Sequence, residues 1–155
     1  MPYERFEAWQ MAHELALEIY RVTDRWPKEE RFGLTSQLRR AALSAPTNIA
    51  EGAAKRGNRE FRRFLDIALG SLSEVSYLLR FSRDRGLLTP NSWLAVEALR
   101  GRTGRVTWRL YLAVSRASRQ PQPGLPEPAS ALPPFRPSAD SHHPGGHVIF
   151  RPPST

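Results

Sequence analysis

The sequence predicts an all-α protein: an antiparallel up-down-up-down four-helix bundle with a disordered C-terminal tail. Three observations carry that prediction. Apolar residues recur every three or four positions through the first 118 residues, and no window alternates at period two over a strand length. Helix-stopping and helix-starting residues cut this stretch into four segments. The connections between them are short, which makes successive helices run antiparallel. The composition then breaks near Arg119, since ten of the fourteen prolines fall in residues 120–155.

The first helical pattern covers about residues 6–26. Trp9, Ala12, Ala16, Ile19 and Thr23 step by three and four, with Leu15 and Val22 beside them, and Pro27 stops it. The second covers about residues 32–51, with Leu38, Ala41, Ala42, Ala45 and Ile49 on one side. Pro46 sits inside it and is expected to kink or split the helix near Ser44. Gly52 reads as its C-cap. The third covers residues 58–85, with Asn58 as N-cap, Glu60 in the first turn and Gly86 as the stop. Phe61, Phe64, Leu65, Ala68, Leu72, Val75 and Leu79 form its apolar stripe. The fourth opens with Thr89 as N-cap and Pro90 at the first helical position. Val96, Leu99, Thr103, Val106, Leu110 and Ala113 then form a heptad-like seam that runs to about Ser118.

Residues 1–119 are therefore one folded domain and residues 120–155 a proline-rich tail that cannot bury enough surface to offset its ordering entropy. The tail carries two basic residues (Arg136, Arg151) and two acidic ones (Glu127, Asp140), so the net charge of +8 belongs to the folded part. That charge favours an anionic partner, nucleic acid being the commonest. An arginine-rich proteome is the competing explanation. No cysteine is present, which excludes disulfides, thiolate metal sites and a cysteine nucleophile. The N-terminal residues have no signal-peptide pattern and no apolar run approaches the ~18 residues of a membrane span. A cytoplasmic protein with no membrane partner is the expectation.

Three segments carry a more specific likeness. They are Trp26-Pro27-Lys28-Glu29-Glu30-Arg31-Phe32-Gly33-Leu34-Thr35-Ser36-Gln37-Leu38-Arg39-Arg40-Ala41-Ala42, then Ser44-Ala45-Pro46-Thr47-Asn48-Ile49-Ala50-Glu51-Gly52, then Glu60-Phe61, Phe64-Leu65 and Ile67-Ala68-Leu69-Gly70-Ser71-Leu72-Ser73-Glu74. Together with Phe6-Glu7-Ala8-Trp9-Gln10, they resemble the four-helix-bundle proteins encoded in intervening sequences of bacterial large-subunit ribosomal RNA genes. The likeness spans roughly residues 3–115. That family is similar to the accessory variability protein of diversity-generating retroelements, a basic pentamer that binds a reverse transcriptase and nucleic acid. The resemblance implies a homopentamer and a nucleic-acid-associated role; it implies no enzymatic activity.

The residues themselves argue against catalysis. The folded part has one histidine, His13, expected on the surface, and position 10 is Gln, so the Glu-x-x-His pair of a bundle metal site is absent. There is no phosphate-binding glycine loop and no serine nucleophile motif. No metal or cofactor is expected. His142, His143 and His147 could hold a stray divalent metal, but a solvated tail is the stronger reading.

The basic residues are better organised. Arg102, Arg105, Arg109, Arg116 and Arg119 fall at spacings of 3, 4, 7 and 3, one stripe of the fourth helix. Lys55, Arg56, Arg59, Arg62 and Arg63 cluster at the second connection and the start of the third helix. Both groups are candidate phosphate-binding sites, with a solvated face as the alternative. Gly101 and Gly104 interrupt the fourth helix; close helix packing is the expected reason and backbone approach to a ligand the alternative. Asn48 and Glu51 share a face and are expected to satisfy backbone groups freed by Pro46, with a subunit-interface role as the alternative. Some of the seven Trp and Tyr residues from Trp9 to Tyr111 are expected on a second apolar face that favours oligomers. The function expected is an oligomeric, non-enzymatic protein binding RNA or DNA. A scaffold whose basic face docks an acidic protein, such as a reverse transcriptase, is the alternative.

Overall fold

The computed structural model describes residues 1–119, and four helices account for most of them: α1 (Glu7–Thr23), α2 (Leu34–Ala54), α3 (Asn58–Asp84) and α4 (Pro90–Ala117). Single 3-10 turns, Pro2–Arg5 and Lys28–Glu30, lead into α1 and α2. The tail, residues 120–155, lies outside the described residues. Among those described there is no strand.

Each helix packs on its neighbours in sequence, and α4 closes the ring on α1; the diagonal pairs do not approach at backbone level. This is the up-down-up-down bundle, and its core takes one stripe from each helix. Ala12, Leu15 and Ile19 of α1 meet Leu38, Ala45 and Ile49 of α2, Leu65, Val75 and Leu79 of α3, and Val96 and Leu99 of α4, all buried. The α4 seam drifts from the expected heptad. Ala113 is exposed, and Thr107 and Val114 are buried in its place. A straight helix rotates by 3.6 residues per turn, so a strict seven-residue seam leaves the core within a few turns. The buried threonines of α4 return their hydroxyls to their own helix: Thr103 donates to the Leu99 carbonyl at 2.9 Å and Thr107 to the Thr103 carbonyl at 2.8 Å.

Helix ends follow local chemistry. Thr89 caps α4, its Oγ1 accepting from the Ser92 amide at 3.2 Å with Pro90 behind it. Gly86, at φ +73°, closes α3; its amide donates to the Arg83 carbonyl and that of Leu87 to the Ser82 carbonyl. Arg39 ties α2 to the end of α1. Its Nε donates to Thr23 Oγ1 at 2.8 Å, its Nη2 to Asp24 at 2.6 Å, and its guanidinium lies 4.5 Å over the Tyr20 ring.

Four local expectations are corrected. Asn58 is the first residue of α3, and Gly57, at φ +88°, is its cap. Pro46 does not split α2, which runs unbroken through it and buries the ring in the core. Beside it, the Asn48 amide donates to the Ser44 carbonyl at 2.8 Å, and the Ser71 hydroxyl of α3 lies 2.8 Å from that of Ser44. Asn48 thus anchors this turn, whereas Glu51 takes no part in it. Finally, Gly52 is not a cap. It lies inside α2, where a Cβ would stand 2.7 Å from Phe64 Cβ and 2.8 Å from Phe61 Cδ2. Its missing side chain is what lets α2 and α3 close on each other.

Gly52→Ala is therefore expected to destabilise the fold. Overpacking of this kind costs about 1–3 kcal/mol, more than the ~1 kcal/mol that alanine gains over glycine in a helix. Urea denaturation reads the difference, and a variant as stable as the wild type would contradict the close approach.

Candidate nucleic-acid interface

The antiparallel pairing of α3 and α4 sets the basic start of α3 beside Tyr111 of α4, whereas the α4 stripe turns toward α1, where Arg109 borders Phe6, Glu7 and Ala8. Arg59, Arg62 and Arg63 share a hollow with Tyr111 of α4 and with the carboxylates of Glu60 and Asp66. Tyr111 in turn stacks on Trp108, with ring centroids 5.2 Å apart and planes 13° from parallel. Trp108 lies three residues after Arg105 and one before Arg109. An aromatic pair therefore stands between the arginine stripe of α4 and the basic start of α3. The sequence places each cluster but not this bridge, because Tyr111 and Arg62 are 49 positions apart; an aromatic pair at spacing three within the stripe was the available signal.

The α4 stripe is fully presented to solvent: Arg102, Arg105, Arg109 and Arg116 are all exposed, whereas Arg119, expected in the same stripe and also exposed, lies past the helix end at Ala117. None of them is in an ion pair with another described residue. The arginines that are paired, within the described residues, lie elsewhere: Arg21, Arg39, Arg40, Arg63, Arg83, Arg85 and Arg100. Arg100, on the α3 side of the same helix, shows the contrast. Its hydrogen bonds to Glu97 hold its pKa above the ordinary value. Arg102 shares a hollow with Glu14, Glu18 and Arg21 of α1. Glu18 is already committed to Arg21, whose hydrogen bond holds the carboxyl below the usual carboxylate range.

The second group divides. Lys55, Arg56 and Arg59 are exposed and Arg62 half-buried, and none is paired within the described residues. Arg63 is different: its Nε donates to Glu60 at 3.2 Å, while its guanidinium, at 4.6 Å, shares the Phe64 ring with the Lys55 ammonium, at 5.4 Å. It is the one candidate whose charge is already answered.

The glycines of α4 do not serve helix packing, contrary to the expectation from sequence. A Cβ on Gly101 would meet only Arg105 Nη1, at an ordinary 3.5 Å, and one on Gly104 would meet nothing within 4 Å. His13 is a surface residue, as expected, and it stacks on Trp9. Among the described residues, no three His, Cys, Asp or Glu side chains gather as a metal site would require. No helix among them is long and apolar enough to cross a membrane.

The family model for the 23S rRNA-intervening sequence protein matches residues 4–106, most of the bundle. The chain belongs to that family. A solved relative supports the fold. The crystal structure of a protein of unknown function from the S23 ribosomal protein family of Bacteroides thetaiotaomicron superposes with a TM-score of 0.61 at 19% identity, covering 67% of this chain and 97% of that one. No curated protein matches the chain. The family match ends at residue 106, so Trp108, Arg109, Tyr111 and Arg116 lie beyond it.

Because both glycine sites are open, Gly104→Ala should stabilise the protein by about 0.5–1 kcal/mol, the usual gain at a helix-interior glycine. Thermal or urea unfolding measures this, and a loss of stability would show that α4 packs more closely at this point than its geometry indicates.

Proposed function

We propose that this intervening-sequence family protein is a non-enzymatic nucleic-acid-binding module that holds RNA or DNA largely through phosphate contacts. The observation that carries the reading is the stripe of exposed arginines on α4 with no carboxylate partner among the described residues. Like charges three and four apart on a helix repel by roughly 0.2–0.5 kcal/mol per pair. A polyanion removes that repulsion and accepts two parallel hydrogen bonds from each guanidinium. The same arginines could meet an acidic protein surface, including that of a reverse transcriptase; a pull-down that survives nuclease treatment would favour that partner.

A second observation favours self-association. On α3, Tyr77 and Phe81 are 66% and 44% exposed with ring centroids 6.4 Å apart, an apolar pair that water solvates poorly. We infer that copies meet through this side, with the homopentamer implied by the family resemblance as the stoichiometry. Light scattering at micromolar concentration should give a multiple of the 17.6 kDa chain mass, and Tyr77→Glu with Phe81→Glu should lower it. A wild-type protein of monomer mass contradicts the inference.

The binding claim is tested by Arg102→Gln, Arg105→Gln and Arg109→Gln in one protein. Glutamine keeps helix propensity nearly intact, so folding and mass should be unchanged. Affinity should fall, and the slope of log K against log salt should become shallower by roughly 0.7–0.9 for each phosphate that is no longer neutralised. Changing Lys55, Arg56 and Arg59 to Gln tests the α3 cluster in the same gel-shift assay. A triple α4 variant that keeps its affinity and its salt slope would show that the stripe is only a solvated face.

A further inference from the structure

We infer that the surface where α4 meets the start of α3 is a stacking site for unpaired bases, so the partner is single-stranded RNA or DNA. The inference rests on the phosphate-binding reading above and adds what the charge alone does not decide.

Trp108 is 50% exposed, whereas Trp26 is buried and Trp9 and Trp93 are half-buried. A large apolar ring left in water is ordinary as an isolated case. This one is not isolated. It stacks on Tyr111, and Tyr111 is itself half-buried beside Arg59, Arg62 and Arg63, which outnumber the carboxylates of Glu60 and Asp66 in the same hollow. The indole is therefore presented in one orientation. One helical turn before it stands Gly104, beside which a Cβ would meet nothing within 4 Å, so the helix surface next to the indole is open. Arg105 and Arg109 flank the ring in sequence and are exposed.

An exposed aromatic face beside unpaired cations suits a single strand. Every unpaired base has a face to stack on an aromatic ring, and its phosphates then track the cations. A duplex keeps its base faces inside its own stack and offers only edges and backbone, to which the indole adds little. A second copy of the chain is the other apolar occupant to weigh. An isologous contact between two α4 faces would set Arg102, Arg105 and Arg109 against their own copies, so charge complementarity favours the polyanion.

The test compares labelled 15-nucleotide rU and dT with a 15-base-pair duplex by fluorescence anisotropy, using the full chain, Trp108→Ala and Trp108→Phe. The single strands should bind more tightly than the duplex, although the duplex carries the higher charge density. Trp108→Ala should weaken single-strand binding by roughly 5- to 150-fold, the range of base–aromatic stacking, and change duplex binding less than about twofold. Trp108→Phe should retain most of the affinity, because a ring remains. If the duplex binds as well as the single strands and Trp108→Ala is silent, stacking is wrong while the charge reading survives. If neither nucleic acid binds at micromolar protein, both readings fall. A drop in light-scattering mass for Trp108→Ala would assign the indole to a subunit contact and overturn the inference.

Discussion

Each helix of this bundle can turn only one stripe of its circumference inward, and the shared core is made from those four stripes. Leu15, Leu38, Leu65 and Val96 are effectively removed from water. That constraint decides everything outside the core. A residue that is not on the inward stripe must be solvated, paired along the surface or left for a partner. It also fixes which surfaces adjoin, since antiparallel neighbours bring the start of one helix to the end of the next. The meeting of Arg59 and Arg62 with Tyr111 follows from this pairing.

Charge is then distributed over the outer faces. The folded part holds eight more basic than acidic residues, so some arginines must lack a carboxylate within the bundle. Within the described residues, unpaired basic residues remain on several elements, among them Arg25, Lys28 and Arg31 after α1, Lys55, Arg56, Arg59 and Arg62 around the start of α3, and the outward stripe of α4. On α1 and α2, Glu18 and Asp24 answer Arg21 and Arg39, and on α3 Glu60 answers Arg63. On α4, Glu97 answers Arg100, but the outward stripe from Arg102 to Arg116 has no described partner. Unanswered charge along the α4 stripe opposes folding slightly, and a phosphate chain is the complement we propose for it. The apolar surface of α3, at Tyr77 and Phe81, lies on a different helix, so self-association and polyanion binding need not compete for the same residues.

The sequence made the helices and their core stripes legible because amphipathic periodicity and cap chemistry are local. Thr89, Pro90 and Gly86 do in the structure what their types and positions suggest. Misreadings arose where a residue answers to a neighbour distant in sequence. Gly52 has the appearance of a helix stop, but its role is set by Phe61 and Phe64 across the α2–α3 contact. Pro46 looks like a break, yet the helix continues through it because its ring is held in the core. Gly101 and Gly104 suggested tight packing, and only the surrounding space shows that nothing presses on them. The candidate site was half legible. The spacing of the arginines gives the α4 stripe, whereas the junction with α3, and the pairing of Arg63 with Glu60, depend on the fold.

We propose that the unanswered arginines on α4 form a phosphate-binding surface. The most direct measurement is the affinity of the wild-type chain for a labelled single-stranded oligonucleotide across a series of salt concentrations. Counterion release gives a slope of about −0.7 per phosphate neutralised on a single strand, so three to five such phosphates predict a slope of roughly −2 to −3.5. A slope in that range supports the account. A flat salt dependence, or no binding at micromolar protein in low salt, contradicts it.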